Sequence, residues 1–589
     1  MPKRKKALDE EEIQKLMLES DSELSDLSSE DDGWPKEVNE NDRSYFLEIE
    51  ELDEELDQPT ADFKEAEKVG ENNEIFTWKD TVDNNLIPPP ISHSGGGPCH
   101  DLPKESNPFD FFKLLFTPDM MEQIRINTNK YAKLTLQKTA RDISLDSKDF
   151  EDTDENDSKD FPPITDKQEL WNFIACLFAM SINKLPRLTD YWSKDPLMSN
   201  AFIKSTMQRN RFLKILRCLH LSDRESEVPA NNENYHKMQK LYPFMADIRM
   251  NFRKCMNPYK DVSVDEALIK YKGRLGFVQY LPLKPGKRGI KVWMLCTSRF
   301  GYVLNFEVYC GKNDKVPRSG KGLGYDVIQH LCECLKNPGH NIYFDRFFTS
   351  VPLVNDLLKK NTYCCGTLNL ARKSLPQNIK SIKLPTTGMS KSFQCVESPN
   401  IICTLWKDKK EIALLSSNSH FEESVTKRRI GGDRQEVKCP ITFLKYNSNM
   451  GGVDLADQNR KYYNTSRKSR KWWQYLFWFL LDTAVNNSFI LYSLSNTEEK
   501  KHMKLLDYKM LLIKTMAKPI KLAPSTPTNL AQIADHVRVK WEKKCCRRCA
   551  KLKVKTVSGN FVKTTWICQA CQVSLCIDCF GKYHDEMKN

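Results

Sequence analysis

Seven of the chain's 20 cysteines fall within Cys545–Cys579, and no other feature limits the fold as tightly. Cys546-x2-Cys549 is followed, after 18 residues, by Cys568-x2-Cys571, and then by Cys576-x2-Cys579 and His584. A segment this short buries too little apolar surface to fold alone, so the spacing points to structural zinc held by thiolates. The first two pairs would satisfy one zinc. In an interleaved arrangement, Cys546, Cys549, Cys576 and Cys579 would bind one ion, and Cys568, Cys571 and His584 would begin a second. Cys545 and Asp585 are then candidates for the eighth ligand, and spacing alone leaves the pairing open.

The other 13 cysteines scatter over Met1–Lys544 and read as reduced core residues, not as a disulfide framework. Lys3-Arg4-Lys5-Lys6 lacks a following apolar stretch, so a nuclear localisation signal is expected there and a secretory signal is not. The most apolar window, Tyr475–Leu494, contains Asp482, Asn486 and Asn487. It is expected to be a buried helix and not a bilayer span, so no membrane association is expected.

A length of 589 residues implies several domains, and charge divides them unevenly. Ala7–Gly70 holds 24 acidic against 5 basic residues, a local charge of −19, so with +4 from Met1–Lys6 and a total of +12 the rest carries +27. A basic body behind an acidic, disordered tail is expected to meet a polyanion, with nucleic acid as the leading candidate.

Helical spacing begins at Pro108-Phe109-Asp110-Phe111-Phe112, with Thr117-Pro118 opening a second helix. Thr165–Gln168 reads as a capping box before another apolar helix, and Ser205–Leu221 as an amphipathic helix with a cationic face. From Val262 the pattern changes to strands: 262–265, 277–281, 290–296, 302–309, 341–345 and 363–369, with helices at 325–335 and 351–360. A strand-rich basic segment follows to about Cys439, and helices return from Asp457. This is a multidomain α/β chain.

Three apolar stretches end in carboxylates: Val262-Ser263-Val264 in Asp265, Ile342-Tyr343-Phe344 in Asp345, and Met450-Gly451-Gly452-Val453 in Asp454, with Asp457 three residues on. A carboxylate at the end of a buried strand is costly unless it is paired or binds a cation. Were the three to converge, they would offer oxygen ligands to two Mg2+ ions, with Mn2+ as a substitute. Beyond Asp457, Arg460, Lys461, Arg467, Lys468, Arg470 and Lys471 alternate with Tyr462, Tyr463, Trp472 and Trp473. The cations would neutralise DNA phosphates; the tryptophans read rather as entering the core. Arg547 and Arg548 add positive charge to the cysteine-rich end. Gly320–Gly324 lacks the spacing of a phosphate loop, so no nucleotide cofactor is expected.

Taken in order, Ser263-Val264-Asp265-Glu266, Tyr280–Pro285 with Gly289-Ile290-Lys291, Asp345–Ser350, Tyr446-Asn447, Met450–Asp454, Asp457-Gln458 and the cysteine block resemble the piggyBac transposase family. The resemblance implies an RNase H-like catalytic core with Asp265, Asp345 and Asp454 as a metal-binding triad and Asp457 as a further acid. It implies a strand-rich insertion and a flanking helical dimerisation and DNA-binding domain. The cysteine-rich module would grip the element's terminal repeats. Expected boundaries are a disordered tail at 1–100, helical parts at 101–258 and 458–517, catalytic parts at 259–371 and 441–457, an insertion at 372–440, a basic linker at 518–540 and the zinc module at 541–589. The implied reaction is Mg2+-dependent cut-and-paste transposition of double-stranded DNA at TTAA, through a hairpin, by a homodimer in the nucleus. One departure is visible: the residue after the second aspartate is usually Asn in this family and is Arg346 here. The alternative is a domesticated nuclear DNA-binding protein that keeps the fold but does not cut. A junction-type nuclease without the zinc module ranks below both.

Overall fold

The computed structural model describes residues 75–141, 161–518 and 538–586, apart from 94, 230, 282–286, 312–318, 431–432, 470, 496–502 and 570. Side chains of 136–141 and of 430 are also outside the described set. Most of the expected tail, the basic run at Lys3–Lys6, the acidic stretch Asp146–Asp160, Arg470 and most of the expected linker fall outside it. The chain divides into two compact units, Met1–Pro519 and Ile520–Asn589.

In the first unit, α1 (Pro108–Leu115) starts because Asn107 and Asp110 satisfy each other's backbone N–H groups in a capping box. Thr117 Oγ1 accepts the Met120 N–H at 3.2 Å at the start of α2 (Pro118–Arg141). The cap of α3 (Lys167–Ile182) is Asp166, whose carboxylate accepts the Gln168 N–H at 3.0 Å, one residue later than the capping-box reading. The single helix expected at Ser205–Leu221 is two, α4 (Ala201–Thr206) and α5 (Arg209–Cys218). Met207 and Gln208 are extended between them, and the Met207 carbonyl is taken by Trp192 Nε1 at 2.8 Å. α6 (Tyr242–Lys254) completes this group.

The sheet follows. β1 (Asp261–Lys270), β2 (Arg288–Thr297) and β3 (Val303–Val308) form an antiparallel meander. After α7 (Leu323–Cys332), β4 (Asn341–Phe344) lies parallel to β1, and after α8 (Val351–Lys359), β5 (Tyr363–Thr367) lies parallel to β4. Of the expected strand at 277–281, Gln279–Tyr280 pairs, with Gly289 and Arg288. Within the segment expected to be a separate insertion, β6 (Ser390–Cys395), β7 (Ile402–Lys407) and β8 (Glu411–Ser416) continue the same sheet, because β8 pairs with β5. The sheet order is thus β3-β2-β1-β4-β5-β8-β7-β6. β9 (Glu423–Ile430) and β10 (Asp433–Pro440) form a hairpin apart from it.

The tail boundary expected at residue 100 is too late. Trp78 and Lys79 pair with Cys395 and Gln394 on β6, and Gly97 and Pro98 pair with Asn257 and Met256. Backbone pairing orders these residues although their composition is polar.

α9 (Ile441–Asn449), α10 (Gly452–Tyr462), α11 (Trp472–Ser495) and α12 (Leu505–Met516) complete the unit. α11 is buried from Trp473 to Ser493 save for Tyr475, which explains its apolar composition; among the described residues no helix is long and apolar enough to cross a membrane. Several of its polar residues have internal partners. The Asn487 side chain accepts the Val303 N–H and donates to the Val303 C=O, both at 2.9 Å, completing the start of β3 as a neighbouring strand would. Asn487→Leu leaves both backbone groups buried and unpaired. It is expected to destabilise the unit by roughly 2–5 kcal/mol, read as a lowered denaturant midpoint.

In the second unit, β11 (Arg538–Cys545) pairs antiparallel with β12 (Lys563–Cys568), with α13 (Arg547–Lys551) and α14 (Ile577–Glu586) beside them. Arg538–Lys540 are therefore strand, not linker. The buried cluster of this unit is Cys546, Cys549, Leu575 and Cys579.

Candidate active site and metal centres

Asp265 is not at a strand end: it is the fifth residue of β1, which runs on because Glu266–Lys270 pair with Gly289–Trp293. Val264 pairs with Phe344, so Asp265 and Asp345 follow adjacent positions on neighbouring parallel strands. Asp345 leaves β4 as the sequence reading expects, and its carboxylate accepts the Phe347 N–H at 3.0 Å. Asp454 does not follow a strand; it lies in the first turn of α10. The helix reaches the sheet through Gly452, where a Cβ would stand 2.5 Å from Ser263 Oγ and 2.7 Å from the Thr297 carbonyl. Gly301, at φ +67°, makes the matching approach between β2 and β3, its Cβ position 2.9 Å from the Ala456 nitrogen. Only glycine permits both contacts.

Ser263 pairs with Cys296 across β1 and β2, so Ser263, Asp265 and Cys296 share a face. The buried Cys296 thiol is pushed well up, by burial first and then by Asp265, Asp457 and Asp454. On the other face, Glu266 pairs with Lys291 at 3.2 Å. Burial, and then the Glu266 carboxylate, push Asp345 up to about 7, and Lys291 acts against that rise. Glu266 and Lys291 carry no role in the sequence reading beyond membership of a motif. The signal that could have found Lys291 is a lone charge inside the apolar run 290–296.

Asp457 is bridged by Arg460 and by Lys461 (2.7 Å). Burial opposes its ionisation, but these two cations hold its carboxyl below the usual carboxylate range. Two of the expected phosphate-binding cations are thus engaged with the further acid of the expected site, and Arg460 also lies over the Phe479 ring at 4.6 Å. Arg467 donates to Tyr191 Oη at 3.1 Å. Lys471 donates to the Arg217 carbonyl at 2.6 Å and sits 5.1 Å from the Tyr131 ring centroid. Lys468 is exposed. Trp473 is buried and Trp472 packs edge-on against Phe277, as expected of core residues.

Asp265, Asp345 and Asp454 carry carboxylate oxygens alone, the donor type that suits a hard divalent cation, but among the described residues they do not form a group within 4.8 Å of one another. The desolvated Asp345 carboxyl is a group whose ionised form such a cation would stabilise. Among the described residues, groups of three or more metal-type donors within 4.8 Å of one another occur in the second unit: Cys546, Cys549, Cys576 and Cys579, and separately Cys568, Cys571 and His584. These are the interleaved sets and not the consecutive ones. Cys549 Sγ lies 3.4 Å from Cys579 Sγ, and Cys571 Sγ lies 3.5 Å from His584 Nε2. His584 Nδ1 is 2.6 Å from the Phe580 carbonyl, a contact that assigns its proton to Nδ1 and leaves Nε2 as a donor to metal. Thiolate and imidazole suit zinc. Cys545 and Asp585 are exposed and belong to neither group. Arg547 is exposed, whereas Arg548 is tied to Glu586 at 2.6 Å.

Residues 107–489 match the family model described as Transposase IS4. The human PiggyBac transposable element-derived protein 3 is 26% identical over 434 residues, covering 70% of this chain and 69% of that protein. The human PiggyBac transposable element-derived protein 5 is 24% identical over 455 residues, covering 75% and 81%. Among solved structures, the cryo-EM structure of a piggyBac transposase synaptic complex with hairpin DNA superposes with a TM-score of 0.60 at 24% identity. The superposition covers 82% of this chain and 98% of that one. With 107–489 of its 589 residues matched by the model, the chain belongs to the Transposase IS4 family, as a member of piggyBac type.

Proposed function

We propose that this chain is a DNA transposase that excises and integrates DNA at TTAA sites through a hairpin-ended intermediate. The observation that carries the reading is the meeting of three elements. Asp265 and Asp345 stand side by side on parallel strands, and a helix bearing Asp454 is seated on β1 through a glycine. The order β3-β2-β1-β4-β5, three strands antiparallel and the last two parallel, supports an RNase H-like core. On this reading the helices before β1 and after α10 form the dimerisation and DNA-binding domain of a nuclear homodimer, and 372–440 is the insertion.

Asp265, Asp345 and Asp454 would hold two Mg2+ or Mn2+ ions. Bound there, the cations supply Lewis-acid assistance to in-line displacement at phosphorus, serving water and a 3′-hydroxyl alike as nucleophile. The chain's own residues do the rest. The Gly452 and Gly301 contacts fix Asp454 against β1. Asp457 anchors Arg460 and Lys461 beside the acids, so these cations draw the phosphate backbone toward them. Lys468, Tyr462 and Arg547 are exposed for phosphate contact or base stacking. In the second unit, zinc in both interleaved groups would hold a basic module that binds the element's terminal repeats.

The test is excision in cells from a donor flanked by the DNA that borders this chain's own gene. Wild type is expected to yield TTAA-restored junctions, and Asp345→Asn to lower their number at least about 1,000-fold. The second reading, a domesticated DNA-binding protein that does not cut, is favoured by Arg346, a resident cation beside Asp345. Excision by neither protein, with both expressed and bound to DNA, would establish it.

A further inference from the structure

Two charges lie buried at the far end of the helix that carries Asp454. Asp482 on α11 is 4% exposed and Lys509 on α12 is 2% exposed, with the ammonium 3.9 Å from the carboxylate. The ammonium also lies 5.0 Å from the Phe178 ring. A buried ion pair seldom stabilises a fold better than apolar residues of the same size, so its presence asks for another reason. Both charges reach the chain where it leaves α10. Lys509 Nζ donates to the carbonyl of Tyr463, the residue that ends α10 in a non-helical conformation, φ −129° and ψ 55°. The ammonium of one helix therefore caps the C-terminus of another and meets the negative end of its dipole. Two residues on, the Thr465 N–H donates to one Asp482 carboxylate oxygen at 2.9 Å, and the Thr465 hydroxyl donates to the other. In the last turn of α10, Arg460 lies over the ring of Phe479, which precedes Asp482 by three residues on α11.

We propose that Asp482 and Lys509 are positioning residues that clamp the C-terminal end of α10 and so hold Asp454 in the pose that cutting requires. This rests on the catalytic reading of Asp454. α10 is 11 residues long and is seated at its first turn by Gly452. A helix held at one end alone can pivot, and a shift of about 1 Å at an acid of the site is enough to spoil an in-line geometry. Lys509 and Asp482 supply the second point of attachment, from two different helices. An apolar pair would fill the same volume but would take these partners from the Tyr463 carbonyl and the Thr465 N–H. Neither charge is exposed to DNA, so the clamp acts on the rate of cutting and not on DNA affinity.

The experiment uses the full chain, Mn2+ and a labelled duplex carrying the DNA that borders this chain's own gene. Protein is saturating, so the rate of cutting is read apart from binding. K509M leaves Asp482 as an unpaired buried charge and is expected to lower Tm by about 3–8 °C. In the double variant D482N/K509M, which removes both charges, Tm should return to within about 3 °C of wild type. Its single-turnover cutting should nevertheless stay at least about tenfold slower than wild type, with the DNA Kd changed by less than about twofold. T465V, which removes the hydroxyl bond to Asp482, should cut about three- to tenfold more slowly, and T465S, which keeps that bond, should match wild type. Cutting at the wild-type rate by both D482N/K509M and T465V, where D454N abolishes it, overturns the proposal and leaves the catalytic reading standing. Slower cutting matched by an equal loss of DNA affinity also overturns it. Cutting that D454N leaves unchanged, or no cutting by wild type, overturns both.

Discussion

Gly452→Ala is expected to destabilise the first unit by roughly 3–5 kcal/mol and to lower DNA strand cleavage at least about 100-fold. Two effects of opposite sign compete at this position. Alanine in place of glycine inside a helix ordinarily gains about 1 kcal/mol. Here the added methyl would lie 2.5 Å from Ser263 Oγ, 2.7 Å from the Thr297 carbonyl and 3.1 Å from Ser298 Cα. Two of those three neighbours are backbone atoms, held by the β1–β2 ladder and by the Ser298 N–H bond to the Asp261 carbonyl. They cannot turn aside as a side-chain end would, so α10 has to lift. Asp454 sits two residues along the same turn, and a displacement of about 1 Å there is enough to spoil an in-line geometry. Gly581 provides the control of sign: it lies inside α14 with nothing within 4 Å of a built Cβ, so Gly581→Ala should be neutral or stabilising. Denaturant midpoints for the two variants, with cleavage of a labelled duplex for the first, check the expectation.

What the sequence made legible follows from how local each signal is. The apolar runs of β1 to β5 and the buried helix at 472–495 were readable, because burial on both faces leaves continuous hydrophobic stretches. Asp345 was readable as a strand end because the chain turns there, and Phe347 N–H closes on its carboxylate. Asp265 was misplaced because nothing between Val264 and Lys270 shows that β2 pairs alongside; that information is 20 to 30 residues away. Asp454 was taken to follow a strand because Met450–Val453 reads as a short apolar stretch that ends in a carboxylate. Gly452 is a helical residue whose missing side chain lets the helix touch β1 and the end of β2. Lys471 and Arg467 read as DNA contacts because a basic run has the same composition whether its side chains meet phosphate or the protein's own carbonyls and rings. The Glu266–Lys291 pair was out of reach for the same reason: only the register brings its halves together.

Removing zinc is expected to unfold the second unit while leaving the first unit's unfolding transition in place. The buried cluster there is three cysteines and Leu575, with Val562, Val573, Cys576, Phe580 and Tyr583 only partly covered. Apolar burial on that scale cannot offset the ordering entropy of 48 described residues (538–586 apart from 570), at about 1–2 kcal/mol each for the backbone. Structural zinc binding contributes on the order of 10–16 kcal/mol per site, enough to decide whether the unit folds. The interleaving makes the two sites dependent on each other. Cys549 comes from α13, while Cys576 and Cys579 come from the start of α14, whose far end carries His584 of the other group. Cys549→Ser should therefore release close to two zinc ions per chain and not one, and should expose β11 and β12 to protease. Cys545→Ser should release none, since that thiol is exposed and belongs to neither group. Zinc counted with a chromogenic chelator, alongside limited proteolysis, separates these outcomes. Loss of a single zinc from Cys549→Ser, with α14 still protected, would mean that Cys568, Cys571 and His584 fold independently of the four-cysteine group.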